Sequence, residues 1–155
     1  MGNITKAYVE RFKLESPEKT IYTGCFNGIA EHYEKGMSLI SIARTEPKGW
    51  KELKLNCLVP AGLQKLNGRA YDQAYMRILN QLKPSQILAM IPNNSVLLCW
   101  EKPGVKCHRR IVAQWFEHHC GIVVKELGFS RKETPRYQDS AETINDIRMP
   151  HRNYN

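Results

Sequence analysis

The amino-acid sequence predicts a single α/β domain: an open, mostly parallel sheet of about five strands with helices on both faces, plus a polar C-terminal tail. Three observations carry this expectation. Short β-rich or apolar runs alternate with stretches whose apolar residues recur at helical spacing, the pattern of βαβ units. Two of the runs, residues 37–43 and 95–100, are nearly unbroken apolar segments of strand length, as strands covered on both faces require. The chain, at 155 residues and 42% hydrophobic content, is long enough to bury one core without disulfide or metal staples.

Each element has its own signal. Residues 1–19 form a mixed, polar N-terminal arm in which Tyr8 to Phe12 suit a short edge strand, with Ser16-Pro17 as a break. Residues 20–23, Thr-Ile-Tyr-Thr, are strong β-formers that end at Gly24. Ile29, Ala30 and Tyr33 then recur at helical spacing over 27–35, with Gly36 as the stop. The apolar run 37–43 is the second strand and opens into the loop 44–50, which holds Arg44, Glu46 and Trp50. Leu53, Leu55, Cys57 and Val59 alternate with more polar neighbours and end at Pro60, predicting a third strand. Ala74, Tyr75, Ile78, Leu79 and Leu82 make one apolar stripe of a helix over 69–82. Pro84 starts a shorter helix through Ala89, and Pro92-Asn93-Asn94 is a turn. Residues 95–100 give the fourth strand, and Ile111, Val112, Trp115 and Phe116 define a helix over 108–119 that stops at Gly121. Ile122-Val123-Val124 reads as a fifth strand. From Gly128 large apolar residues are sparse and Pro135 and Pro150 interrupt the chain, so the α/β domain spans 20–127 and 128–155 is a tail.

Composition narrows the function. A net charge of +8 favours anionic partners: a small anionic molecule or nucleotide first, nucleic acid as an alternative. No apolar run approaches the ~20 residues of a membrane-spanning helix. The opening Met1-Gly2-Asn3-Ile4-Thr5-Lys6 lacks a secretory h-region and the myristoylation pattern, so a cytoplasmic location is expected. The five cysteines are odd in number, widely spaced and without a CxxC pair, which predicts reduced thiols, no disulfide framework and no metal or other cofactor. His118-His119-Cys120 has metal-ligating residue types, but adjacent helical positions point about 100° apart. The chain has no GxxxxGK[ST], GxGxxG or HExxH. Nor does it carry a tyrosine-phosphatase-like loop, because the arginine position after Cys99 is Val105 and after Cys107 is Ala113.

In open α/β sheets ligands bind beyond the carboxyl ends of the strands. Two loops stand there, one after the second strand and one, from Glu101, after the fourth; the second leads into Cys107-His108-Arg109-Arg110 at the first turn of a helix. A thiol at a helix N-terminus is expected to be a better nucleophile, which nominates Cys107. His108 would carry protons near neutral pH. Glu101 would act as a general base or orient an arginine. Arg109 and Arg110 have the wrong charge for a helix N-terminus, which suggests that they and Arg44 hold a phosphate or carboxylate. Cys99, inside an apolar strand, reads as core. A structural ion pair between Glu101 and Arg109 is the bland alternative.

Leu97-Leu98-Cys99-Trp100-Glu101 followed by Cys107-His108-Arg109 resembles the Leu-Leu-Cys-x-Glu…Cys-His-Arg signature of the family known as domain of unknown function 488. Ile21-Tyr22-Thr23, Ala43-Arg44 with Pro47, and Tyr75 fit the order of that family's other elements, so the resemblance covers roughly 20–127. Where the family has Gly-His after its first strand this chain has Gly24-Cys25-Phe26, and its aspartate before the arginine is Ile42. The resemblance implies that Arg44, Glu101, Cys107, His108 and Arg109 line one pocket. It implies no particular reaction.

The sequence therefore predicts a small enzyme or binding protein for a phosphate-bearing or nucleotide-like ligand. A nucleic-acid-binding accessory using Lys102, Lys106, Arg109 and Arg110 is one alternative, and a protein-interaction module using the tail is another.

Overall fold

The computed structural model describes residues 19–105 and 107–129. The expected edge strand at Tyr8 to Phe12, Lys106 and nearly all of the tail lie outside the described residues. The strands are β1 (Ile21–Cys25), β2 (Ser38–Ser41), β3 (Leu53–Lys54), β4 (Ser95–Cys99) and β5 (Val124–Glu126). The helices are α1 (Ile29–Glu34), α2 (Gly68–Asn80), α3 (Pro84–Met90) and α4 (His108–Cys120). The strands form one five-stranded sheet in the order β3-β2-β4-β1-β5, and every pairing is parallel.

Parallel strands need covering on both faces, and the alternation along β2 and β4 supplies two cores. Ile40 and Leu97 point into the larger one, where Tyr75, Met76 and Leu79 of α2, Ile87 of α3, and Ile111, Val112, Trp115 and Phe116 of α4 pack together. Leu39, Val96 and Leu98 point the other way, against Phe26, Met37 and the partly buried Ile29 of α1 and Trp50. Three helices thus cover one face and α1 sits on the other, as the sequence predicts. Complete burial of a Leu or Ile side chain stabilises by about 1.5–3 kcal/mol, so the central strands anchor the molecule.

Two elements differ from expectation. The third strand covers only Leu53–Lys54, and Asn56–Leu58 turns into a single 3-10 turn. Its alternation misleads because Leu58, not Cys57, is the fully buried residue of the turn. The fifth strand begins at Val124 rather than Ile122, because the αL C-cap at Gly121 (φ 66°) redirects the chain and its pairing with β1 starts at Ile21↔Val124. That shift puts Glu126 opposite Thr23, at the carboxyl end of the sheet.

The topology also fixes where a crevice opens. The connection leaving β2 runs outward to β3, whereas the one leaving its neighbour β4 runs the opposite way, across β1 to β5. Adjacent strands whose connections diverge leave a gap beyond their carboxyl ends, the switch point at which open α/β sheets bind ligands.

Candidate functional site

A cavity of about 580 Å³ lies at this switch point, lined from β2 and its loop by Ala43, Arg44 and Thr45 and from β4 and its loop by Cys99, Trp100 and Glu101. Cys107 and His108 reach it from the start of α4, and Tyr71 from α2. The volume falls within the usual ~300–1,000 Å³ of small-molecule sites. Four of the six residues selected from the sequence, Arg44, Glu101, Cys107 and His108, meet here.

The loop after β2 is held by a short polar network. Ser41 donates to the Glu46 carboxylate at 2.9 Å, and Lys54 pairs with Glu46 at 2.6 Å and donates to the Arg44 carbonyl at 3.2 Å. The loop after β4 is tied to it by Trp100, whose indole Nε1 donates to the Thr45 carbonyl at 2.9 Å and lies 3.1 Å from its hydroxyl. The Trp100 ring rests on Phe26 at 4.7 Å between centroids. With its backbone fixed this way, Arg44 presents an exposed guanidinium to the cavity; among the described residues that guanidinium has no hydrogen bond or ion pair.

Arg109 and Arg110 stand elsewhere, and the expectation that they bind a ligand is corrected. Both are buried behind the cavity. Arg109 Nε donates to Glu126 Oε1 at 2.8 Å, its Nη1 to the Glu101 carbonyl at 2.5 Å and to Cys99 Sγ at 3.0 Å, and its Nη2 to the Lys102 carbonyl at 2.7 Å. Arg110 Nη2 donates to Glu126 Oε2 at 3.0 Å, and its guanidinium lies 4.8 Å over the Phe129 ring. Burial works against the charge of Arg109, but the two cysteines and Glu126 outweigh it and hold the guanidinium above its ordinary value. The arginines at this helix start are thus balanced by Glu126 of β5, and the pair between Arg109 and Glu101 runs through the Glu101 backbone, not its carboxylate. A buried guanidinium needs acceptors for its donors, and here they come from the ends of β4 and β5. The nucleic-acid reading loses two of its four cations to this clamp.

Cys107 is the N-cap of α4, its sulfur accepting from the Arg109 amide at 3.4 Å. Its Sγ lies 3.0 Å from Cys99 Sγ, and the Cys99 thiol in turn donates to Glu101 Oε2 at 3.3 Å. The helix end does not make Cys107 acidic. Burial pushes its thiol well above the ordinary value, and the hydrogen bond with Cys99 adds to this. Cys99 belongs to the core, as expected, and lines the cavity as well.

His108 is not a proton carrier near neutral pH, because burial holds its imidazole down at about 4. Its Nε2 lies 2.9 Å from the Ile42 carbonyl, which can only accept. The ring is therefore the neutral Nε2–H tautomer, with the lone pair on Nδ1. Burial raises the Glu101 carboxyl, but the Cys99 thiol, its own backbone amide and the Arg109 charge carry it below its ordinary value. Glu101 is thus an ionised base at neutral pH.

Sequence reasoning missed Glu126, Trp100 and Tyr71. Only the first left a signal: two arginines in a buried helix turn demand a carboxylate at a neighbouring strand end. Among the described residues no helix is long and apolar enough to cross a membrane. No family model, curated protein or solved structure matches the chain.

Proposed function

We propose that the protein binds a small anionic molecule, phosphate-bearing or nucleotide-like, in the cavity between the loops that follow β2 and β4. The observation that carries this reading is Arg44: an exposed guanidinium on a braced loop, at a topological switch point, facing 580 Å³ of space. Thr45 adds a hydroxyl beside it, and Tyr71 and Trp100 offer flat surfaces for a base or other ring. Cys99, Glu101, Cys107 and His108 of the Leu-Leu-Cys-x-Glu…Cys-His-Arg pattern that resembles the family of domain of unknown function 488 line this cavity, which supports taking it as a site.

Among the described residues Glu101 is the one ionised carboxylate in contact with a thiol at the floor of this cavity, that of Cys99, and it would serve there as an acceptor. His108 would orient rather than titrate, and Arg109 would hold the floor together.

Thermal unfolding with millimolar inorganic phosphate, pyrophosphate and nucleoside monophosphates tests the binding step. At least one of these should raise the melting temperature of the wild type and not that of Arg44→Ala. Equal shifts in both proteins, or none with any probe, would overturn the reading.

A further inference from the structure

We infer that Cys99, Cys107 and His108 form a site for a zinc-class divalent ion at the floor of the cavity. The two sulfurs and one ring nitrogen of His108 all lie within 4.8 Å of one another, the only such trio of His, Cys and carboxylate side chains among the described residues. Two thiolates and a neutral imidazole suit zinc, and three protein ligands with the fourth position open is the arrangement of catalytic zinc sites. All three residues line the cavity, and so does Glu101.

The second, independent observation is what surrounds the three groups. A metal-bound imidazole is normally fixed by donating its other ring N–H to an acceptor, and His108 Nε2–H does so to the Ile42 carbonyl, which leaves the Nδ1 lone pair for an ion. Metal-bound sulfurs are normally approached by N–H donors. Cys99 Sγ receives the Arg109 guanidinium at 3.0 Å and Cys107 Sγ the Arg109 amide at 3.4 Å. All three groups thus carry an outer partner of the polarity that ligation requires. A disulfide between Cys99 and Cys107 would account for the sulfur pair alone and leave the orientation of His108 without a purpose. To bind zinc, the sulfurs part from 3.0 Å toward roughly 3.8 Å, the separation set by two ~2.3 Å bonds at a tetrahedral angle. Each ion bound displaces the two thiol protons to solvent.

This site departs from the cofactor-free expectation drawn from the missing CxxC spacing. The pair is eight residues apart in sequence, and the sheet's end, not a knuckle, brings it together. The inference stands apart from the anion bound by Arg44, because metal uptake needs no anion.

The test uses the full chain, reduced and stripped with a chelator, then titrated with zinc in competition with a chromophoric chelator. One equivalent should bind, and Cys107→Ser and His108→Asn should each weaken it at least tenfold. Cobalt substituted into the wild type should give the sulfur-to-metal charge-transfer bands and intense visible absorption of a tetrahedral thiolate site, a readout that does not depend on any variant folding. Absence of those bands with no stoichiometric zinc would overturn the inference. So would zinc bound equally well by both variants, or a Cys99–Cys107 disulfide that forms in air while the reduced protein retains no metal.

Discussion

Arg44 and Arg109 both follow the carboxyl ends of strands, yet the fold uses them in opposite ways. Arg109 is fully buried and donates to Glu126, Cys99 and the carbonyls of Glu101 and Lys102. Arg44 is exposed at the cavity wall, where among the described residues only its backbone carbonyl is held, by Lys54. The difference teaches that a cation at a strand end is read by its acceptors. Where the chain itself supplies them the arginine is architecture, and where it does not the arginine is available to a ligand.

The sharpest way to break this contrast is to remove the acceptor of the buried pair. Glu126→Ala takes from the buried Arg109 guanidinium its carboxylate, and taking one partner from a buried ion pair costs roughly 3–5 kcal/mol. Urea unfolding should show a loss of that size. A change below about 1 kcal/mol would mean that the clamp is not structural.

The next effect concerns pH in the metal-free protein. His108 titrates at about 4 when folded against an ordinary 6.5, and burial also lowers His32. Between those values the unfolded chain binds more protons, so the stability present above 6.5 is lost as pH falls. The expected loss for His108 is roughly 2 kcal/mol between pH 7 and pH 5, readable as a drop in the urea midpoint. A flat profile across this interval would contradict a neutral, buried His108.

Arg44→Ala should do the reverse of Glu126→Ala. It should alter stability by no more than about 0.5 kcal/mol while weakening anion binding by roughly tenfold or more, since a hydrogen bond to a charged group contributes ~1.5–3 kcal/mol. The smallest effect is expected of Trp100→Phe, which keeps the packing on Phe26 and deletes the indole donor to Thr45. It should cost under about 1 kcal/mol, with faster proteolytic nicking of loop 44–50.

The fold was legible because its signals are local. Apolar strands at 37–43 and 95–100, and the stripe Ile111, Val112, Trp115 and Phe116, follow from periodicity alone, and with the βαβ rules they leave few topologies. The place of the cavity followed as well, since strand ends and a helix start can be placed from those elements. Partnership was not legible. Whether Arg109 meets a ligand or Glu126 depends on the β1–β5 register, which Gly121 sets through one αL turn, and the strand expected at 122–124 hid Glu126 from view. The acidity of Cys107 failed for a related reason. The helix start predicts a lowered value, but burial and a second sulfur 3.0 Å away, contributed by a strand, decide it the other way.

Calorimetric titration of the wild type and Arg44→Ala with the anion that most raises the melting temperature tests the central claim most directly, with urea unfolding of both proteins alongside. The contrast between the two arginines predicts one binding site in the wild type, affinity reduced at least tenfold in Arg44→Ala, and unfolding midpoints that coincide. Equal affinity in the two proteins would contradict it, as would an Arg44→Ala variant that binds weakly only because it has lost its fold.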